Sequence, residues 1–309
     1  MTLRIGTRGS ALALWQSRHI SARLSEAHPD LEVELVEIAS EGDRVTDVPL
    51  SHVEGTGFFT AALEQALVSG EIDLAVHSYK DLPVKSIAAL VVAAVPVRGP
   101  VEDALCGRDG LTLEGLPAGA RVGTCSTRRA AQVRLVRQDL ELVPLRGNVP
   151  TRLGRVGRDL DAIVLARAGL VRLGLDQSIT ETFSTERMVP APAQGALAVQ
   201  CRVADAAVYG RLHVLNDAAT RRAVDAERTL LHALGGGCSV PVGAIATAFA
   251  SGVQLTAAVF GLRTGVAVRV QMTGADPVAL GQLAAARLIE QGAGDILAEF
   301  ASGPAGVPA

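Results

Sequence analysis

Residues 4–7 read RIGT, and residues 121–124 read RVGT. Each tetrapeptide closes an apolar run and enters a polar turn, TRGS in one case and TCSTRR in the other. A helix-patterned stretch and a second apolar run follow in both places, ending in LEVELVEIA and LELVPLRG respectively. A repeated strand–turn–helix–strand unit constrains the fold strongly, because parallel strands joined through a helix need a sheet that helices cover. Ser10 suits an N-cap, and Leu12, Trp15, His19 and Leu24 fall near helical spacing behind it. A second echo pairs DLAVHSYKD at 73–81 with DAIVLARAG at 161–169, each an apolar strand entering a polar turn. The expected fold class is therefore α/β, with two similar lobes built on mostly parallel sheets.

Two Pro/Gly-bearing crossings, PVRGPVEDA near 96–104 and VPAPAQGALAV near 189–199, separate these lobes. The second returns the chain to the first lobe, because QGALAVQCR is one more strand with no partner nearby in sequence. From Asp217 the pattern changes to one long helix, a GGGC loop, three short strands and two helices. Successive short strands predict a three-stranded antiparallel sheet in a C-terminal α+β domain. The expected domains are residues 1–97 with 195–215, residues 98–194, and residues 216–309.

The 29 cationic side chains are almost all arginine, with Lys80 and Lys85 the two lysines. Residues 121–158 hold nine arginines against Asp139 and Glu141, a local surplus of seven positive charges. Arg8, Arg128, Arg129, Arg146 and Arg152 all fall in turns that follow strands, where a helix N-terminus also favours anions. Their planar forks suit carboxylate or phosphate. Aromatic residues make up 3% of the chain and none interrupts the arginine cluster, so base-stacking platforms are missing and nucleic acid is disfavoured. A small polycarboxylate fits better. The longest apolar stretch, IAALVVAAVPV, is far short of the roughly 20 residues that span a bilayer. With no apolar signal core in MTLRIGTRGS, a cytoplasmic protein is expected.

Cysteines 106, 125, 201 and 238 form no CxxC pair, and the six histidines show no metal-binding spacing. Cys106, Cys125 and Cys201 read as small buried hydrophobes. Cys238 differs, since the three glycines before it leave room for a ligand to reach the sulfur. Asp81, at the end of an apolar strand beside Lys80, is either a structural carboxylate or one held in a cleft to stabilise a developing cation and shuttle protons. EGTGFFT at 54–60 reads as a glycine-flanked flap or a simple turn before a helix.

Taken in order, RIGTRGSALALWQ, GTGFF, DLAVHSYKDLPV, VGTCSTRR, LRGNVPTRL, LARAGLVRLGL, PAPAQGA and GGGCSVPVGA resemble the porphobilinogen deaminase (hydroxymethylbilane synthase) family along essentially the whole chain. The resemblance implies two periplasmic-binding-protein-like lobes and a transferase of tetrapyrrole and heme biosynthesis. The implied reaction is the head-to-tail condensation of four porphobilinogen molecules with loss of ammonia to give hydroxymethylbilane. It further implies a dipyrromethane cofactor in thioether linkage to Cys238, and Asp81 as the catalytic aspartate that assists ammonia loss and stabilises the azafulvene cation. Arg8, Arg128, Arg129, Arg146, Arg152 and Arg172 match the family's carboxylate-binding arginines, with Ser10, Lys80, Thr124, Ser126, Gln194 and Phe59 as further contacts. The family is typically monomeric. Thr56 stands where many relatives carry lysine, so no binding role is carried over to it. Two alternatives remain at this level: a two-lobed polycarboxylate-binding protein, which needs neither Cys238 nor Asp81, and a thiol hydrolase, which lacks a paired base.

Overall fold

The computed structural model describes residues 2–39, 60–237, 240–262 and 265–302. The first lobe begins with β1 (Thr2–Thr7), α1 (Ala11–Ala27), β2 (Glu32–Glu37), α2 (Ala61–Ser69), β3 (Leu74–Ser78) and β4 (Leu90–Ala94). The chain then crosses to a second sheet through β5 (Asp103–Gly107), β6 (Arg121–Gly123), α3 (Thr127–Val136), β7 (Glu141–Val143), α4 (Val149–Leu153), β8 (Ala162–Ala166), α5 (Arg167–Arg172) and β9 (Glu181–Thr182). It returns as β10 (Leu197–Arg202), which inserts between β3 and β4.

The two five-stranded sheets share one plan, β2-β1-β3-β10-β4 and β7-β6-β8-β5-β9. In each, three strands run parallel and one strand delivered from the other lobe runs antiparallel between its neighbours, β10 in the first and β5 in the second. The RIGT and RVGT repeats occupy the same central place, and their glycines explain the echo. A Cβ on Gly6 would lie 2.2 Å from Ile72 Cδ1, and one on Gly123 would lie 2.7 Å from Leu160 Cδ1. Both strands are overlaid at that point too closely for a side chain. A second shared device fastens the same strands. The Arg4 amide donates to Asp73 Oδ2 at 3.0 Å, and the Arg121 amide donates to Asp161 Oδ2 at 2.7 Å.

Leu3, Ile5, Ile20, Leu24, Leu74 and Val199 form the first core. Leu105, Val122, Val133, Val164 and Phe183 form the second. Each such side chain contributes about 1.5–3 kcal/mol on burial. Helix α1 is capped by Ser10, whose Oγ accepts from the Ala13 amide at 3.3 Å. Its buried face is Gln16, Ser17, Ile20 and Leu24, whereas Leu12, Trp15 and His19 are only half-buried. The expected stripe is split because α1 serves two neighbours. One face covers the first sheet; on the other, Trp15 stacks on His19 with centroids 5.0 Å apart and meets Arg172 of α5 at 5.6 Å.

After α6 (Ala206–His213), Asp217 caps α7 (Ala218–Ala233) by accepting from the Thr220 amide at 2.7 Å. Strands β11 (Val242–Phe249), β12 (Gly252–Phe260) and β13 (Ala267–Gly274) form an antiparallel sheet, covered by α7 and α8 (Pro277–Leu288) and followed by α9 (Gly294–Ser302). Gly235, at φ +67°, ends α7: its amide donates to His232 O and that of Gly236 to Leu231 O, each at 3.0 Å. Two of the three glycines before Cys238 therefore stop a helix in the manner of a Schellman turn.

Helix α7 also ties both crossings together. The fully buried Glu227 carboxylate accepts from Arg98 at 2.7 and 2.9 Å, from the Ala193 amide at 2.6 Å and from the Ala246 amide at 2.7 Å. The crossings touch at Gly195, where φ is +83° and a Cβ would lie 2.5 Å from Pro100 O.

Candidate functional site

Ligands of open α/β sheets meet the loops that follow the carboxyl ends of strands. On that edge of the first sheet, β1 runs into Arg8 and Ser10, and β3 runs into a one-turn 3-10 helix, Tyr79–Asp81. On the second sheet, β6 leads to Thr124 and Ser126, β7 to Arg146, and β8 to α5 with Arg172. Arg152 lies in α4, its Nε donating to Gly147 O at 2.6 Å.

Asp81 is exposed and Lys80 is half-buried. Dehydration pulls the Lys80 ammonium down to about 8, and Arg129 adds repulsion, against opposing attraction from Asp81 and Asp103. Burial likewise lowers Arg152, which Arg129 and Arg146 repel and Asp81 attracts. Asp81 of the first lobe thus lies within electrostatic reach of Arg152 in the second.

Behind this face lies a buried carboxylate, Asp103, the first residue of β5. Arg128 Nη1 donates to its Oδ2 at 2.7 Å, and Arg129 Nε and Nη2 donate to its Oδ1 at 2.9 and 2.7 Å. Burial works against ionisation of Asp103, but the two guanidinium groups outweigh it and hold the acid well below the usual carboxylate range. Gln194, fully buried, donates to the same Oδ1 at 2.9 Å and accepts from Lys80 Nζ at 3.3 Å. A polar chain therefore runs from Lys80 through Gln194 and Asp103 to the arginine pair.

The expected site residues fall into two sets. Arg8, Ser10, Lys80, Asp81, Ser126, Arg146, Arg152 and Arg172 are exposed or half-buried on the carboxyl edges. Ser126 caps α3, its Oγ accepting from the Arg129 amide at 3.4 Å. Arg172 donates to Gly195 O at 2.7 Å, and burial brings it down to about 10. Thr124, Arg128, Arg129 and Gln194 stand in the wall instead. Thr124 Oγ1 accepts from the Ser126 amide at 3.1 Å, and Arg128 is 3% exposed, with its Nε buried and lacking a hydrogen-bond partner. Phe59 and Cys238, along with Gly55, Thr56 and Gly57, lie outside the described residues.

Asp103, Arg98 and Glu227 escape the sequence reading, although each carries a weak signal. Asp103 opens an otherwise apolar strand, and Glu227 lies three residues beyond Val224 on the buried face of α7. Cys106 and Cys201 are buried, and burial raises both thiols to about 11. Cys125 is half-buried, and its Sγ donates to Leu145 O at 2.7 Å. Among the described residues no cluster of acids, histidines and cysteines is arranged to hold a metal ion.

The arrangement can bind several carboxylates and present one exposed acid among them. A dipyrromethane made from porphobilinogen bears acetate and propionate groups, and the residues present fit it: Arg8, Arg146, Arg152 and Arg172 stand half-buried on the carboxyl edges, and the buried Arg128 Nε in the wall lacks a hydrogen-bond partner.

Comparison with known proteins agrees. Residues 3–210 match the family model described as porphobilinogen deaminase, dipyromethane cofactor binding domain, and residues 221–290 match porphobilinogen deaminase, C-terminal domain. The porphobilinogen deaminase of Xanthomonas euvesicatoria pv. vesicatoria (strain 85-10) is 47% identical over 97% of this chain and 99% of its own. That of Stenotrophomonas maltophilia (strain K279a) is 46% identical over 96% of this chain and 99% of its own. A solved substrate binding domain of a putative molybdenum ABC transporter from Clostridium difficile is 11% identical, covers 70% of this chain and 93% of that one, and superposes with a TM-score of 0.43. With both family models matched in order and relatives aligned end to end, the chain belongs to the porphobilinogen deaminase family.

Proposed function

We propose that the chain condenses four porphobilinogen molecules head to tail, releasing ammonia at each step and finally hydroxymethylbilane, with Asp81 as its catalytic carboxylate. The observation that carries this assignment is one exposed carboxylate at the carboxyl end of β3, next to Lys80, which Gln194 and Asp103 connect to Arg128 and Arg129 of the arginine-rich second lobe. When bound through Cys238, the dipyrromethane supplies the free α-carbon at which the chain starts.

Arg8, Arg146, Arg152, Arg172 and Lys80, with Ser10 and Ser126, hold the acetate and propionate groups and thereby orient each incoming ring. Arg128, Arg129, Thr124 and Gln194 support these contacts from the wall, and Arg129 comes nearest to a direct role because its charge acts on both Lys80 and Arg152. The Asp81 carboxylate stabilises the cation left on the substrate when ammonia departs, and takes up the proton released as the new carbon–carbon bond forms. Phe59 is assigned to packing on a pyrrole ring. Residues 1–97 with 195–215 carry the acid, residues 98–194 the arginines and residues 216–309 the cofactor cysteine. The same reading has the protein working as a monomer in the cytoplasm with no nucleic-acid partner. No described helix is long and apolar enough to cross a membrane.

Intact mass of the denatured protein tests the assignment. After incubation with porphobilinogen, an adduct of two linked pyrrole units should map to Cys238. Cys238→Ser should fail to retain it. Asp81→Asn should keep the adduct and lose about 10²–10⁴-fold in turnover, the usual range for a removed general acid or base. Full activity of either variant would overturn the roles given to these residues.

A further inference from the structure

The backbone on either side of Lys80 and Asp81 is held by a single side chain from the C-terminal unit. Arg228 of α7 donates through Nη1 to Tyr79 O at 3.0 Å and to Leu82 O at 2.9 Å, and through Nη2 to Pro83 O at 2.8 Å. Its guanidinium lies over the Tyr79 ring, 4.3 Å from the centroid. These carbonyls bracket Lys80 and Asp81. One turn earlier on α7, Val224 packs with Tyr79 and Leu82 in a common apolar cluster. Tyr79 is itself anchored from the other side, its amide donating to Ala196 O at 3.0 Å. The turn is thus clamped between α7 and the second crossing, with only its Lys80–Asp81 apex left forward.

We propose that Arg228 is a positioning residue for Asp81, fixing the catalytic turn to the helix that leads to the cofactor cysteine. The inference rests on the function proposed above and adds to it. Only a planar fork reaches three divergent carbonyls while stacking on a ring; an ammonium offers a point charge and no plane. Helix α7 ends at Ala233, five residues before Cys238. Arg228 and Val224 thus tie the turn that carries Asp81 to the helix that ends five residues before Cys238 in the chain.

The test compares Arg228→Met and Arg228→Lys with wild type and with Arg222→Met. Arg222 lies on the same helix and also donates to backbone carbonyls, Phe249 O and Ala275 O, but remote from the turn. Turnover is expressed per molecule carrying the dipyrromethane adduct, counted by intact mass. Arg228→Met should load the adduct, leave KM for porphobilinogen nearly unchanged and lower kcat by about 10²-fold, the cost of a displacement near 1 Å at a reacting group. Arg228→Lys should recover part of that loss, and Arg222→Met should match wild type. A purely structural role predicts fewer loaded molecules at unchanged kcat, and that result overturns the proposal. If Arg228→Met does not fold, Arg228→Lys decides alone: kcat per loaded site within about 2-fold of wild type overturns it. Absence of any adduct on wild type after incubation with porphobilinogen would instead overturn the function itself and this inference with it.

Discussion

The two lobes repeat one strand plan but dispose of charge in opposite ways. In the first, β3 ends in a short turn that pushes Asp81 forward and leaves it exposed. In the second, β8 runs directly into α5, and the acid at the heart of the lobe, Asp103, is buried beneath Arg128 and Arg129. The interior polar groups differ too. At the position of β3 occupied by His77, β8 has Leu165. His77 is buried and bonds Gln200 Oε1 at 3.1 Å, and Gln200 in turn donates to Glu64 Oε1 at 3.1 Å. A shared scaffold thus tolerates either a forward acid over a buried His77–Gln200–Glu64 chain or forward cations over a buried counter-charge. What it preserves is the strand packing at Gly6 and Gly123 and the aspartate fastening at Asp73 and Asp161.

The sharpest way to break this comparison is to remove the buried counter-charge. Asp103→Asn leaves two guanidinium groups in the wall without a full partner, and unfolding in denaturant should show a loss of about 3–5 kcal/mol. An unchanged midpoint would mean that the second lobe does not depend on its interior acid.

The next effect belongs to the first lobe. Burial pushes His77 down to about 4, partly opposed by its bond to Gln200. Between that value and the ordinary 6.5 the unfolded chain binds the proton and the folded one does not. Stability contributed by the neutral ring is therefore complete above pH 6.5 and lost as pH falls toward 4, by about 3 kcal/mol in all. His77→Leu, which copies the second lobe, should flatten that acid slope in a series of melts from pH 7 to 4. A slope unchanged by the substitution would place the titrating group elsewhere.

The smallest effects test what the lobes have in common. Asp73→Asn and Asp161→Asn each weaken a charge-assisted bond to a strand amide and should cost about 1–2 kcal/mol. Asp73→Asn should be the costlier of the two, since Asp73 also pairs with both Arg4 and Arg202, whereas Asp161 pairs with the half-exposed Arg108. A much larger loss at Asp161 would mean that the two fastenings are not equivalent.

Much of this architecture was legible because its signals are local. The repeated tetrapeptides, the Ser10 cap and the alternation of strands after residue 240 all lie within a few residues of the structure they specify. The forward cations and Asp81 were legible for the same reason: each closely follows a recognisable strand. The split face of α1 was not, because Trp15 and His19 answer to α5 in the other lobe rather than to their own sheet. Nor was it legible that Arg128 and Arg129 stand in the wall.

The sequence by itself determined the order of strands and helices, the strand-end turns and the kinds of charge they carry, since backbone preference and hydrophobic period act over short stretches. Only the tertiary structure decided which charges are spent internally. Asp103 meets Arg128 across 25 residues and Gln194 across 91, and Arg228 reaches Tyr79 across 149. Such pairings follow from how the sheets and α7 are brought together, because a carboxylate or guanidinium reads the same in sequence whether water or a buried partner completes it.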